Sequence, residues 1–314
     1  MNTPQLLTNS RLSALRKCAR QHYYRYELGL SRVRSSDALR LGSAFHVGLE
    51  SRNSGAEEAA ALDKADEGYL TVPEWADVKE WEVERQTLRQ LLAGHFWRYG
   101  DDRLEFVAVE QSFYLPLKNP GTRHASRNFV LAGKMDGIVR LADGRLAVLE
   151  YKTASEDIGP EGEYWMRLRC DPQISMYVLA ARELGFDVST VLYDVTRKPT
   201  IRLRQNETPE QYGSRLLADI GERPDYYFAR REVPRLEDDL AEFRLELWQQ
   251  AGQLRDAQKA NRWFKNVSRM TCGYCPFSNL CLNAVRVNPD VPPAGYEILS
   301  DVHPELTGAI SAQI

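Results

Sequence analysis

No stretch of this sequence approaches the roughly 18 uncharged apolar residues of a membrane helix, and mean hydropathy is −0.48. A membrane-spanning helix is therefore not expected. The first residues, MNTPQLLTNSRLSALRK, lack the basic segment and long apolar run of a secretory signal, which makes the cytoplasm the expected location. Cysteine is scarce, five among 314 residues, and this excludes a disulfide scaffold. Neither sign of charge dominates: 41 basic against 44 acidic side chains leave −3. A uniformly basic nucleic-acid binder is excluded, while a local basic surface is not. There is no G-x-x-x-x-G-K-[ST] phosphate loop, so no ATP-driven motor is expected, and no internal repeat or low-complexity run.

What is present can build a sizeable core, with 43% hydrophobic and 27% charged residues. Ser10 as N-cap, then Leu12, Leu15, Ala19, Tyr23 and Tyr26 at helical spacing, predict one helix closed by Gly29. A second helix is expected over 37–51 with Leu41, Phe45 and Leu49 on one side. Residues 55–100 are acidic, helical in character and broken near Pro73, like an insertion or lid. Strands are expected over 104–110, 112–117, 129–141 and 146–153, with Ala142-Asp143-Gly144 as a turn. A helix over 163–184 and a β-branched run over 189–196 then imply a crossover and a parallel strand pair. Helices over 208–221 and 236–261 follow, and the last thirty residues, with Pro289, Pro292, Pro293 and Pro304, read as a loosely packed tail.

The stretch GKMDGIVRLADGRLAVLEYKT carries the chemistry. If a three-residue loop joins the two strands, Leu141 pairs with Arg145, and Asp136 falls opposite Glu150 on one face. Alternation puts Lys152 on that face too, whereas a two-residue loop would send Asp136 to the other side. Two facing carboxylates repel unless a cation sits between them, which suits Mg²⁺ or Mn²⁺. A nearby lysine can orient the attacking water and stabilise charge developing on a phosphate. Taken alone, the same pattern is also that of an ordinary cross-strand salt bridge. Two further features are His46, in L-G-S-A-F-H, and the pair Gln173 and Tyr177, four apart in DPQISMY on one helix face.

The order G-x-x-x-H, G-K-M-D-G, E-Y-K-T, Q-I-S-M-Y resembles the RecB-type branch of the PD-(D/E)XK nuclease superfamily. LSALRKCARQHYYRYELGL is similar to the opening helix of those proteins, and the resemblance spans residues 6–284. It implies an α/β, restriction-endonuclease-like core with a mixed sheet flanked by helices. A single nuclease domain over 1–284 is implied, with a helical insertion at about 52–100, a cysteine region at 262–284 and a tail at 285–314. It also implies metal ligation by His46, Asp136, Glu150 and the main-chain carbonyl of Tyr151, with Lys152 as catalytic lysine and Gln173 and Tyr177 as supporting catalytic residues. Glu110 matches an acidic position that some members have near the metal, and equally fits a surface strand. Mn²⁺ or Mg²⁺ is the implied metal, with imidazole tilting the preference towards Mn²⁺.

C-G-Y-C-P-F-S-N-L-C gives C-x₂-C-x₅-C, and Cys18 is the fourth thiol available to Cys272, Cys275 and Cys281. Such a set holds zinc or an iron–sulfur cluster. One ligand near the N-terminus and three near the C-terminus resemble the iron–sulfur staple of AddB and of CRISPR-associated RecB-like nucleases. That resemblance favours [4Fe–4S] over zinc, as a clasp closing a loop of about 250 residues. Cys170 has no partner at suitable spacing and is expected to be a buried thiol. Basic residues crowd at 11–40 and 255–269, and a clasp would bring the two segments together beside the site, with Tyr23, Tyr24, Trp263 and Phe264 near them. Such a surface can follow a phosphate backbone and stack on unpaired bases; core aromatics and a solvated charged face are the plainer account.

The expectation is thus a metal-dependent deoxyribonuclease: an exonuclease on single-stranded DNA or DNA ends, 5′ to 3′ by resemblance. A partner-dependent trimming subunit acting with CRISPR-adaptation or recombination proteins, a non-catalytic iron–sulfur DNA-binding module and a redox sensor stand as alternatives. The sequence carries no indication of oligomeric state.

Overall fold

Thr8 opens the first helix: its hydroxyl accepts the Arg11 amide N–H at 3.2 Å and so caps the chain two residues before Ser10, the expected cap. The computed structural model describes residues 3–34, 36–101, 104–288 and 290–306. Along the chain, β1 (Gln5–Leu7) precedes α1 (Asn9–Lys17), α2 (Ala19–His22), a π-helical turn at Tyr23–Glu27 and β2 (Leu30–Arg32). Helices α3 (Asp37–Asn53), α4 (Glu58–Asp66) and α5 (Val78–Arg98) follow, then strands β3 (Glu105–Lys118), β4 (Ala125–Arg140) and β5 (Leu146–Ala154). Next come α6 (Glu163–Leu168), α7 (Pro172–Glu183), β6 (Val188–Arg197), α8 (Pro209–Glu222), α9 (Pro224–Tyr227) and β7 (Phe228–Pro234). The chain closes with α10 (Glu237–Ala260), α11 (Arg269–Gly273), α12 (Ser278–Leu282) and β8 (Tyr296–Ile298). Among the described residues no helix is long and apolar enough to cross a membrane.

These elements form two compact units. One comprises Met1–Arg34, Ser112–Lys134 and Leu236–Ile314; the other comprises Ser35–Gln111 and Met135–Arg235.

The second unit is α/β with a mixed sheet. β4 pairs antiparallel with β5, β5 parallel with β6, and β6 antiparallel with β7. The parallel pair is joined through α6 and α7, as the expected crossover requires. Leu149 and Tyr151 of β5 pack with Phe45 and Leu49 of α3, with Leu88, Leu91 and Leu92 of α5, and with Leu216 of α8. Lys152, alternating with Tyr151, reaches Gln173 of α7. Helices therefore cover both faces of this sheet, an arrangement consistent with a restriction-endonuclease-like fold. Gly48 lets α3 approach α5, because a Cβ there would lie 2.7 Å from Leu92 Cδ1.

Several expected elements differ. The single helix closed by Gly29 breaks at Cys18, whose φ of −168° is extended backbone. The helix over 163–184 is two, because Pro172 cannot donate into the preceding turn and instead occupies the first turn of α7 behind the Asp171 cap. The two strands over 104–117 are one, β3, with Glu110 in left-handed backbone at φ +51°. β7 escaped the sequence reading because Arg230, Arg231 and Glu232 interrupt its apolar alternation. Residues 55–100 are helical as expected, yet Trp81, Leu88, Leu91 and Leu92 are core residues, so they do not form a detached lid.

In the first unit, β1 runs parallel to residues 129–131 of β4, and β2 pairs antiparallel with β8. Tyr24, Leu30, Phe277 and Leu280 form a small core, against which Tyr296 packs. The described part of the supposedly loose tail is thus partly built in: it supplies β8, and Leu306 is fully buried. Pro289 and residues 307–314 of that tail lie outside the described residues.

Candidate active site

The β4–β5 turn sets the site. Leu141 N–H donates to Arg145 O at 2.8 Å, Gly144 N–H donates to Leu141 O at 2.9 Å, and Gly144 takes φ +87°. The loop is therefore three residues, with glycine where left-handed backbone is required. The register runs Arg140↔Leu146 to Gly137↔Leu149, so the next opposed pair is Asp136 and Glu150, on the face the three-residue loop demands. At that point a side chain takes over from the ladder, for the Tyr151 amide N–H donates to Asp136 Oδ2 at 2.7 Å.

Four further side chains of the second unit converge there. His46 on α3 places Nδ1 3.3 Å from Asp136 Oδ1. Lys152 Nζ lies 2.6 Å from Glu150 Oε1 and donates to Gln173 Oε1 at 2.7 Å. Gln173 Nε2 in turn donates to the Tyr177 hydroxyl at 3.0 Å, one helical turn along α7. Glu150 is only 2% exposed, and burial pushes its carboxyl up to about 7, partly offset by Lys152 and reinforced by Asp136. Burial lowers the Lys152 ammonium, but the charge and hydrogen bond of Glu150 outweigh it and the net shift is upward. The same balance holds for His46: burial lowers it, Asp136 raises it more, and the net direction is up. Glu110 belongs to the same unit, half-buried on β3.

The sequence reading did not single out Asp171 or Arg235. Asp171 Oδ1 accepts the Gln173 amide at 2.8 Å and so starts α7. Arg235, 3% exposed, donates to Leu168 O at 2.7 Å, Asp171 O at 3.3 Å and Ser175 Oγ at 3.2 Å. A D-P-Q signal for a helix start was readable for Asp171; nothing local marks Arg235, whose partners around α7 lie sixty or more residues away.

Among the described residues, no three His, Cys, Asp or Glu side chains are assembled as a ready-made metal centre. His46 rests on Asp136 and Lys152 on Glu150, so each carboxylate has an internal counter-charge. In donor chemistry, two carboxylates and an imidazole suit a hard divalent ion.

The sequence profile of the PD-(D/E)XK nuclease superfamily matches residues 7–282. The chain belongs to the PD-(D/E)XK nuclease superfamily. Membership makes metal-dependent cleavage of nucleic acid its class of chemistry, with DNA the expected ligand. No curated protein matches the chain. Among solved structures, one described as "Crystal structure of SSO0001" is 16% identical, with a TM-score of 0.32, covering 87% of this nuclease and 96% of that chain.

In the first unit of this nuclease, Cys18, Cys272, Cys275 and Cys281 all line one cavity of about 20 Å³. Cys18 Sγ accepts the Asn266 amide N–H at 3.4 Å. The Cys275 thiol is pushed up by burial, with Cys18 and Cys281 close enough to add to the shift. Four thiols with Arg20 and Lys265 nearby are a soft donor set in a locally basic setting, the chemistry that zinc or an iron–sulfur cluster takes. Cys170, expected to be buried, is exposed. Two of the four aromatics considered for a base-stacking surface follow the plainer account and belong to the interior: Trp263 stacks on His22, with ring centroids 5.4 Å apart, and Tyr24 packs on Phe277 at 5.4 Å. Phe264 is 68% exposed.

Proposed function

We propose that the protein is a RecB-like, metal-dependent DNA exonuclease, acting on single-stranded DNA or DNA ends in the 5′ to 3′ direction. The observation that carries this reading is the facing of Asp136 and Glu150 across the β4–β5 register, with the Lys152 ammonium 2.6 Å from Glu150. His46, Asp136, Glu150 and the Tyr151 carbonyl would hold Mn²⁺ or Mg²⁺. Such an ion, when bound, polarises the scissile phosphate and makes an attacking hydroxide accessible near neutral pH.

The chain's own residues do the rest. The Tyr151 amide holds Asp136 Oδ2 in place at 2.7 Å. Lys152 Nζ, steadied at 2.7 Å by Gln173 Oε1, offers positive charge to the phosphoryl oxygens and a hydrogen bond to the attacking water. Tyr177 keeps the Gln173 amide turned so that its oxygen faces the lysine. The half-buried Glu110 is kept as an additional acidic residue of this site.

The same reading assigns Cys18, Cys272, Cys275 and Cys281 to a [4Fe–4S] cluster, supported by their common cavity and their all-thiol chemistry. It takes residues 1–284 as the nuclease domain, with the helical segment at about 52–100 as an insertion and residues 285–314 as a tail that adds β8.

The test is cleavage of end-labelled single- and double-stranded DNA with Mn²⁺, wild type beside Lys152→Ala, both checked for cluster by visible absorbance. Cleavage by wild type that disappears in the variant is the expected result, and the labelled end reports polarity. A cluster-replete wild type that binds DNA and leaves every substrate intact would overturn the reading for the isolated chain. A partner-activated subunit or a binding module would then replace it.

A further inference from the structure

A cavity of about 370 Å³ opens in the second unit beside the Tyr151 side chain. Alternation along β5 puts it on the sheet face opposite Lys152. Its walls include Arg52 and Asn53 from the end of α3, Tyr99 just after α5, Phe106 on β3 and Arg230 on β7. His46, Asp136, Glu150 and Lys152 do not line it, although the His46 ring lies 6.3 Å from the Tyr151 ring that does.

The wall side chains are tied to their neighbours. The Arg230 guanidinium lies 3.7 Å from the Tyr99 ring centroid and its Nε donates to Asp194 Oδ2 at 2.8 Å. Asp194, 1% exposed, also holds His95 Nε2 at 3.0 Å. Asn53 Nδ2 donates to the Tyr151 hydroxyl at 2.9 Å. Arg52 uses Nη1 on Ala56 O at 2.8 Å, and its Nη2 stands 4.0 Å from Glu58.

A volume of this size, bounded by two guanidinium groups, one carboxylate (Glu57), a carboxamide, the His95 imidazole and aromatic rings, is not a packing defect of an apolar core. Ligand cavities run from about 300 to 1,000 Å³ and combine apolar walls with a few placed polar groups. Aromatic faces suit a planar heterocycle, guanidinium suits phosphate, and a carboxamide can read a base edge. One class of molecule carries all three requirements.

We propose that this cavity binds a single phosphorylated nucleotide, with its base against Tyr99 and Phe106 and its phosphate towards Arg52. The assignment rests on the nuclease reading for the presence of nucleotides, which reach the cavity either as free product or as one unit of a strand.

The test is calorimetric titration of the full chain in EDTA, where no strand is cut. The probes are 5′-dAMP, 5′-dTMP, deoxyadenosine, inorganic phosphate and a 5′-phosphorylated trinucleotide. A mononucleotide should bind at least tenfold more tightly than phosphate or nucleoside alone, and Arg52→Ala should weaken it at least tenfold with the melting temperature unchanged. Phe106→Leu, read in the same way, guards against a local disturbance of α3. Binding by the trinucleotide alone, again lost in Arg52→Ala, supports the proposal and identifies the strand as the source. No binding by any nucleotide, equal affinity for inorganic phosphate, or affinity indifferent to both substitutions would overturn it. Cleavage with Mn²⁺, measured separately, tells the two readings apart: cleavage without nucleotide binding sinks the cavity assignment alone, and nucleotide binding without cleavage sinks the nuclease alone.

Discussion

Lys152 Nζ and Gln173 Oε1 lie 2.7 Å apart, joining a strand residue to a helix residue that share no local sequence relation. The contact aims the ammonium, because among the described residues the other acceptor at hydrogen-bond distance is Glu150, at 2.6 Å. Gln173→Leu should therefore leave Lys152 held by Glu150 alone and no longer aimed by α7. The expected outcome is cleavage slowed about tenfold, equivalent to about 1.4 kcal/mol of transition-state stabilisation, with binding of DNA preserved. Single-turnover cleavage and filter binding on the same preparations check it.

Divalent metal should raise the melting temperature of the wild type. Saturation at a hundredfold above Kd corresponds to about 2.7 kcal/mol. Asp136→Asn removes one of two facing carboxylates and should abolish the shift while leaving a folded protein. Thermal melts with Mn²⁺ and with EDTA decide it; an equal shift in both proteins would place the ion elsewhere.

Arg235 binds two carbonyls and a hydroxyl around the start of α7. Arg235→Met leaves those buried acceptors without their donor, a loss of about 3 kcal/mol at 1–3 kcal/mol per unsatisfied group. Because α7 carries Gln173, cleavage should also fall. Gln173 and Arg235 variants combined should lose less activity than the product of their separate losses, which a double-mutant cycle measures.

His22 provides a pH test away from the acidic site. It is fully buried and its Nε2 accepts Arg11 Nε–H at 3.1 Å, which requires the neutral ring. Burial, with Arg11 and His303 adding, holds its pKa down at about 3. A depressed histidine means that the unfolded chain binds the proton first. Its contribution is complete above the unfolded value of about 6.5 and is lost as pH falls towards 3, at about 1.4 kcal/mol per pH unit. His22→Gln keeps an acceptor for Arg11 and should flatten this part of the profile. Melting curves from pH 7 to 4 should show wild type losing stability more steeply than the variant.

Legibility differed from element to element. The hairpin was readable because loop length and two-residue alternation are local properties: once Asp143 and Gly144 make a three-residue loop, the facing of Asp136 and Glu150 follows. The Asp171–Pro172 start of α7 was also written locally and was read through, so that one long helix was expected where two exist. β7 was hidden by its charged residues, one of which, Arg230, is directed at the buried Asp194. Its sheet position compensates for a pattern that looks like loop.

By itself, then, the sequence determined the strands that carry Asp136, Glu150 and Lys152 and the C-x₂-C-x₅-C spacing, and made their shared face depend on the length of one loop. These depend on backbone geometry over a few residues, which side-chain type and turn length control. Only the tertiary structure decided that α3 brings His46 to Asp136, that Arg235 anchors α7, and that Cys18 lines the same cavity as cysteines more than 250 positions away. The cavity between Arg52, Tyr99 and Arg230 has the same origin. Such distances are set by how helices pack on a sheet, through many weak contacts summed over the whole core, and no single stretch of chain contains that sum.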